Sequence, residues 1–250
     1  MGGSATRQGE PYYRHDLALI HHLGFGFHAE ACAPDIVRLL EPIRRRDGLV
    51  VEIGCGSGLL TAYLVDAGFQ VIATDASDAM LNLARSHIPG TVEIRRLTLP
   101  DDPIPSADAI VGIGHALNYV DEESQVEDSL VEIATALRPG GIMAIDLCDL
   151  EWGALRTNQP PKVWRTDDWV LMTEFSVPEP NRYVRLMTTF VRQPDNTWRR
   201  DDECHDNVLI DTSRVPDLLA RHGVEVTVSD SFGEGKLDGG LATIVGHKNH

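Results

Sequence analysis

Cysteine is scarce: the 250 residues hold four, Cys32, Cys55, Cys148 and Cys204. They stand far apart and form no C-x-x-C pair, which argues against a zinc site and a disulfide framework and leaves reduced thiols as the simplest state. His21 and His22 are adjacent and point in different directions on a helix, so no metal site is expected there either. No apolar run approaches the roughly 20 residues of a membrane span, and the N-terminus has no apolar signal core. A soluble cytoplasmic protein with no membrane partner is therefore expected. Positive charge is also short, with 22 Lys and Arg against 38 Asp and Glu and a net charge of −16. Such a surface repels polyanions, and nucleic acid is not an expected partner. The longest basic cluster, Arg44-Arg45-Arg46, lies between a helix and the first strand and reads as a charge bias at a helix C-terminus.

The chain does have 42% apolar residues, enough for the core of one large domain or of one domain with an insertion. It is organised around Val50-Val51-Glu52-Ile53-Gly54-Cys55-Gly56-Ser57-Gly58. Four residues suited to a buried parallel strand run into three alternating glycines, and Leu59 to Ala67 then reads as a helix. The glycines let the backbone turn sharply and approach a ligand where any β-carbon would intrude. A dinucleotide fingerprint, G-x-G-x-x-G, needs its third glycine where this chain has Leu59. A hydrolase elbow, G-x-S-x-G, needs glycine where it has Cys55. Gln70 to Thr74 form a second apolar run that ends on Asp75, 21 residues after Gly54. That is the place for a carboxylate receiving ribose hydroxyls, and a 2′-phosphate would be repelled there.

Glu-x-Gly-x-Gly-x-Gly closing a first strand resembles motif I of the class I S-adenosylmethionine-dependent methyltransferases. The resemblance implies that Glu52, Gly54, Cys55, Gly56 and Gly58 surround the amino-acid end of S-adenosylmethionine and that Asp75 holds its ribose. Ala76 and Met80 would flank the adenine, with Met80 as ordinary core the competing view. Relatives often carry an Asp-containing pair after the third strand, Val92 to Arg96, to receive the adenine amino group. This chain offers Thr98 and Leu99 there, with Asp101 and Asp102 nearby. Asp108 to Tyr119 resembles motif IV, whose loop, here Gly114 and His115, receives the methionine amino group. The run Gly-His-Ala-x-Asn-Tyr is similar to that of small-molecule enzymes and lacks the Asn/Asp-Pro-Pro-aromatic signature of nucleic-acid amino methylation. In relatives an N-terminal helical segment folds over the cofactor, and the resemblance makes Tyr12 or Tyr13 the counterpart of a tyrosine that meets methionine or acceptor; packing against the sheet is the alternative for each.

The remaining pattern completes a doubly wound, seven-stranded Rossmann-like α/β sheet with an antiparallel seventh strand. Pro34 is expected to start a helix through Ile36, Val37, Leu40 and Ile43, and Ser77 or Asp78 to cap the next one after Asp75. Asp121 to Leu137 reads as an amphipathic helix, Arg138-Pro139-Gly140-Gly141 closes it, and Ile142 to Leu147 is the fifth strand. From Val163 to Ile210 the periodicity changes to short alternating runs, Trp169 to Val177, Arg182 to Arg192 and Thr197 to Ile210, split by proline-containing turns. Such an insertion resembles the antiparallel β lid over the acceptor pocket of sugar N-methyltransferases. Thr212 or Ser213 would cap a helix from Val215 to His222, and Glu225 to Ser229 and Leu241 to His247 are the last strands. The expected organisation is a flexible tail at 1–10, a cofactor-binding domain from 11–150 and 211–250 with an N-terminal cover at 11–47, and a lid at 151–210.

The implied reaction is in-line displacement at the sulfonium methyl by an N, O or C nucleophile of a small molecule, leaving S-adenosylhomocysteine. A general base is needed only for an acceptor protonated at working pH. His115 ranks first and His205 second, with an ordinary hydrogen-bonding role the alternative for each. Glu203 and His205, two apart, share a strand face and look toward the acceptor, which Tyr12, Asn118, Tyr119 and Asp146 would help to orient. A NAD-type oxidoreductase and a noncatalytic nucleotide-binding protein share the fold and stay as alternatives. The oligomeric state is open, a homodimer included.

Overall fold

The computed structural model of the protein describes residues 12–250; the expected tail at 1–10 lies outside them. Three helices come first, α1 (His15–Gly24), α2 (Phe27–Leu39) and α3 (Glu41–Arg44). The sheet then begins with β1 (Leu49–Ile53), α4 (Leu59–Asp66), β2 (Gln70–Asp75), α5 (Asp78–His87), β3 (Glu93–Arg96), β4 (Ala107–Gly112), α6 (Glu123–Ala136) and β5 (Leu137–Cys148). After the short α7 (Leu150–Ala154) come β6 (Lys162–Arg165), β7 (Trp169–Ser176), β8 (Arg182–Arg192) and β9 (Trp198–Val208), and the chain ends with α8 (Val215–Ala220), β10 (Val224–Ser229) and β11 (Leu241–Lys248).

Seven strands form one sheet in the order β10-β11-β5-β4-β1-β2-β3, with β11 antiparallel to both neighbours and the pairs from β5 to β3 parallel. Its central strands are predominantly apolar on both sides because both faces are covered. Alternate residues serve opposite layers: Val51, Ile110, Met143 and Ile145 pack in the cluster containing α6 and α8, and Val50, Ala109, Val111 and Ala144 in the one containing α2 and α4. The strands therefore converge with their carboxyl ends on one edge, where an open α/β sheet leaves its ligand crevice.

The second sheet, β6-β7-β8-β9, is antiparallel and inserted between β5 and α8. One face is apolar and packs on α1, where Leu17 and Ile20 meet Trp169, Leu171, Met187 and Val191. The other carries exposed Met172 and Leu186. α1 thus lies between the two sheets, touching β8 on one side and α5 on the other.

Local boundaries differ from the sequence expectation at Pro34, β6 and Asp211, whereas the cap of α5 falls on Ser77, one of the two residues expected there. The second helix starts at Phe27, and Pro34 sits inside it; Pro34 is solvent-exposed, while Ala29, Cys32, Ala33 and Ile36 bury the opposite side, so tertiary packing outweighs one lost hydrogen bond. β6, pairing Lys162–Arg165 with β7, is an additional strand. Ser77 caps α5 by accepting the Met80 N–H. Asp211, rather than Thr212 or Ser213, supplies the carboxylate that opens the turn before α8.

Candidate active site

The glycine loop joins β1 to α4 with Gly54, Gly56 and Gly58 at φ of +65°, +55° and +83°, all in the left-handed region. Two of these glycines do different work. A β-carbon on Gly54 would overlap that of Ala116, so this glycine lets the end of β1 meet the loop after β4. A β-carbon on Gly56 would have Met80 Sδ as its nearest neighbour, at 3.9 Å, so here bare backbone faces open space. Gly114 also has open space beside it, with nothing within 4 Å of a β-carbon. This cradle fits a ligand pressed against main chain.

Asp75 closes the loop. Its Oδ2 accepts the Gly56 N–H at 2.8 Å and its Oδ1 the Ser77 N–H at 2.8 Å. Burial raises its pKa, while the bonds from Ser77, Gly56 and Ala76 work to lower it. Each carboxylate oxygen keeps a second acceptor direction, as two ribose hydroxyls would require. Ala76 is exposed beside it, and Met80, 2% exposed, lies beneath the loop. Glu52 is fully enclosed, accepts the Thr61 hydroxyl at 2.6 Å, and is pushed up to about 8 by burial; it braces α4 from below. Burial also pushes up the Cys55 thiol, which donates to the Gly56 carbonyl. His22 Nδ1 lies 3.0 Å from the Ser57 hydroxyl and ties α1 to the loop. At the end of β3, the Thr98 N–H donates to Asp102 at 2.8 Å, and Leu99 packs on the core. Asp102 shapes this turn.

The loop after β4 hangs on Asp146, which is 1% exposed. Its Oδ2 accepts from Gly114 N at 3.1 Å and its Oδ1 from His115 N at 2.5 Å. Its carboxylate is thus spent on the loop and on His28, and it braces the site from within. Asn118 is similarly committed: it donates to the carbonyls of Cys148 and Val208 and accepts the Cys148 N–H, clamping β5 to the end of β9. Neither side chain presents itself to an acceptor, contrary to the expectation for both. His115 adopts a left-handed φ of 50° and stacks on Tyr119, with ring centroids 5.5 Å apart. Burial drives its pKa down to about 3, and its Nδ1 is buried without a partner.

The N-terminal segment and the second sheet complete the enclosure. The Tyr13 carbonyl accepts from the Ser77 hydroxyl at 2.8 Å, next to Asp75, while the Tyr13 hydroxyl lies 3.1 Å from that of Tyr119. Arg14 N–H donates to Glu203 Oε1 at 2.9 Å. The Tyr12, Tyr13 and Tyr119 rings surround His205 with centroids 4.8, 4.8 and 5.5 Å away. His205 Nε2 lies 3.0 Å from Glu203 Oε2. Burial lowers the pKa of His205 well below the usual histidine value, helped by the Arg185 charge, and raises that of Glu203 to about 7. His28 and Arg185 are brought to the site without having been anticipated. Arg185 stands on the inward register of β8 with Tyr183 and Met187, and a cation on the core-facing alternation was the signal that could have found it. Among the described residues, no group of three or more His, Cys, Asp and Glu side chains is arranged to hold a metal ion.

Residues 50–141 match the family described as Methyltransferase domain. The fold is similar to that of the sugar N-methyltransferase KedS8 of Streptoalloteichus sp. ATCC 53650, with a TM-score of 0.78, 18% identity and coverage of 100% of this chain and 99% of that one. An amino pentose methyltransferase of Micromonospora echinaspora, in a structure with S-adenosylmethionine bound, aligns at a TM-score of 0.70 and 17% identity over 97% of this chain and 100% of that one. In sequence, glycine N-methyltransferase of Oryctolagus cuniculus is 32% identical over 116 residues. This chain spans only 39% of that relative. The sheet order, the antiparallel last strand and the inserted second sheet define the class I methyltransferase fold. Over residues 50–141 the chain matches a methyltransferase domain, and its fold is that of the S-adenosylmethionine-dependent methyltransferases with which it aligns.

Proposed function

We propose that the protein transfers a methyl group to an N, O or C nucleophile of a small molecule held between the glycine loop and the four-stranded sheet. The observation that carries this is the bridge formed by Tyr13: its carbonyl is bound at Ser77 beside Asp75, and its hydroxyl at Tyr119 under the sheet. S-adenosylmethionine supplies an electrophilic methyl group that needs no further activation. In this reading the glycine-loop backbone, Asp75, Ala76, Met80, Thr98, Leu99 and the Gly114–His115 turn would hold it.

The contribution of this chain is alignment and exclusion of water. Tyr12, Tyr13, Tyr119 and His205 form the wall facing the acceptor. For an acceptor that must lose a proton, the Glu203–His205 pair is better suited than His115: Glu203, at about 7, is matched to neutral pH, whereas a group at about 3 is a weak base there. In this role His205 Nε2 and Glu203 Oε2 share a proton, and the acceptor proton is taken by the pair.

Calorimetry with S-adenosylhomocysteine, NAD and NADP, followed by methyl uptake across amino sugars, phenols and amino acids, tests the reading. We expect S-adenosylhomocysteine alone to bind tightly. Tight NAD binding with no response to S-adenosylhomocysteine would overturn it. His205→Ala and Glu203→Gln should slow turnover while leaving S-adenosylhomocysteine affinity near that of the wild type; unchanged rates in both would remove the base and leave alignment.

A further inference from the structure

Arg185 carries its charge into the interior without an opposite charge beside it. Its Nη2 donates to the Tyr119 hydroxyl at 2.5 Å and to Asn207 Oδ1 at 3.0 Å, while Nε is buried with no partner. The groups that favour its charged form include Tyr119, Tyr183 and Cys148. Burial pushes all three of these up, so they are neutral at physiological pH. No carboxylate pairs with Arg185 among the described residues; the acids of the neighbouring strand face other partners, Glu203 facing His205 and Arg14, Asp201 Arg14, Asp202 Arg200 and Asp206 Arg182. A buried guanidinium with an idle N–H and no counter-ion is costly unless something anionic joins it.

The space beside it indicates what joins. Arg185 lines a cavity of about 100 Å³ together with His21, Phe25, Trp164, Phe175 and Tyr13. His21 contributes a second buried nitrogen without a partner, Nδ1, and burial lowers that ring to about 4, so it is neutral. The cavity thus has an apolar, largely aromatic wall, and Arg185 of β8 and His21 of α1, which line it from two different elements, each keep a buried nitrogen without a hydrogen-bond partner. A dry apolar cavity of about 150 Å³ holds a benzene ring, so this one takes a carboxylate and a few carbons, with the rest of the molecule directed toward Tyr119.

We propose that the methyl acceptor carries a carboxylate, which docks on the idle Nε–H of Arg185 while Phe25, Trp164 and Phe175 enclose the few carbons next to it and the rest of the molecule lies toward Tyr119. This rests on the small-molecule methyltransferase reading given above and narrows it: neutral amino sugars are poor acceptors, and amino acids or aromatic acids are good ones. The Arg185 side chain touches the acceptor away from the reacting atom, and Tyr119, hydrogen-bonded to Arg185 and stacked on His115, links the anchor to the loop after β4.

The test uses three probes that share a ring and differ in charge, benzoate, benzamide and benzylamine, titrated by calorimetry into the full chain with and without S-adenosylhomocysteine. Benzoate is expected to bind about tenfold or more tightly than benzamide, and benzylamine not at all. Arg185→Met should abolish the preference while S-adenosylhomocysteine affinity stays within about twofold, and Arg185→Lys should keep part of it, since a point charge replaces the fork. Benzoate that fails to bind the wild type, or binds no better than benzamide, overturns the proposal without needing a variant to fold. Loss of S-adenosylhomocysteine binding with the carboxylate preference intact would instead sink the methyl-transfer reading and leave the anion site standing.

Discussion

His28 Nε2 lies 2.7 Å from Asp146 Oδ2, joining α2 to the end of β5 across 118 residues of sequence. Burial works to keep this imidazole neutral, yet the hydrogen bond and charge of Asp146, with help from Cys32, raise it to about 10. The pair is therefore an imidazolium against a buried carboxylate, and that same carboxylate carries the two N–H groups of the Gly114–His115 turn.

Asp146→Ala should accordingly destabilise the protein by about 3–5 kcal/mol, because it leaves the Gly114 and His115 N–H groups without their acceptor and removes the partner that holds the His28 imidazole charged. Asp146→Asn, which keeps one acceptor, should cost less. Denaturant melts measure both. If the two substitutions are equally mild, the turn is held by something other than this carboxylate.

The glycine loop separates packing from binding. Gly54→Ala should lower stability markedly through overlap with Ala116, and Ala116→Gly should restore part of the loss in the double variant. Gly56→Ala meets no close atom, so its stability cost should be limited to about 1–2 kcal/mol for a left-handed backbone. Its S-adenosylhomocysteine affinity should fall by about tenfold or more, because the new methyl group projects into the cradle. Melting and calorimetry on the same preparations give both quantities.

Asp75→Ala should weaken S-adenosylhomocysteine binding by more than about tenfold, near 1.4 kcal/mol. It should also lower stability by about 1–3 kcal/mol, since the Gly56 and Ser77 N–H groups lose their acceptor. Unchanged affinity in a folded variant would assign the ribose to another acid.

Stability should peak near pH 6.5. On the acid side, His21 and His115, at about 4 and about 3, and His205, also lowered, stay neutral in the fold, whereas the unfolded chain takes up these protons from pH 6.5 downward. Their contribution is present above pH 6.5 and is lost as pH falls toward 3–4. On the alkaline side the raised groups act in the opposite sense. The contributions of Glu203, Glu52 and His28 are fully present below their unfolded values and disappear as pH rises through about 7, 8 and 10. Thermal melts from pH 4 to 10 should trace both limbs, and Glu52→Gln, which still accepts from Thr61, should flatten the decline up to about pH 8.

The parallel sheet, its crossing helices and the inserted antiparallel sheet were legible in the residue pattern because their causes are local. Runs rich in β-branched residues at 50–53, 71–74 and 109–111 mark strands covered on both faces, and alternating glycines mark a sharp left-handed turn. Pro34 shows where such reasoning stops: its preference for a first turn yielded to the burial of Ala29, Cys32 and Ala33 ahead of it.

The sequence by itself determined the sheet and the glycine turn, since a periodicity or a φ sign needs only near neighbours to specify it. Tertiary structure alone decided which polar side chains remain available. Asn118 and Asp146 look like site residues at the ends of strands, but their hydrogen bonds are consumed by Cys148, Val208, His28 and the Gly114–His115 turn. Arg185 looks like one more lid arginine, but it sits among neutral partners 66 residues from Tyr119 and keeps an N–H unspent. Whether a buried donor or acceptor is satisfied depends on groups that meet only when distant segments fold together, and no spacing along the chain records that meeting.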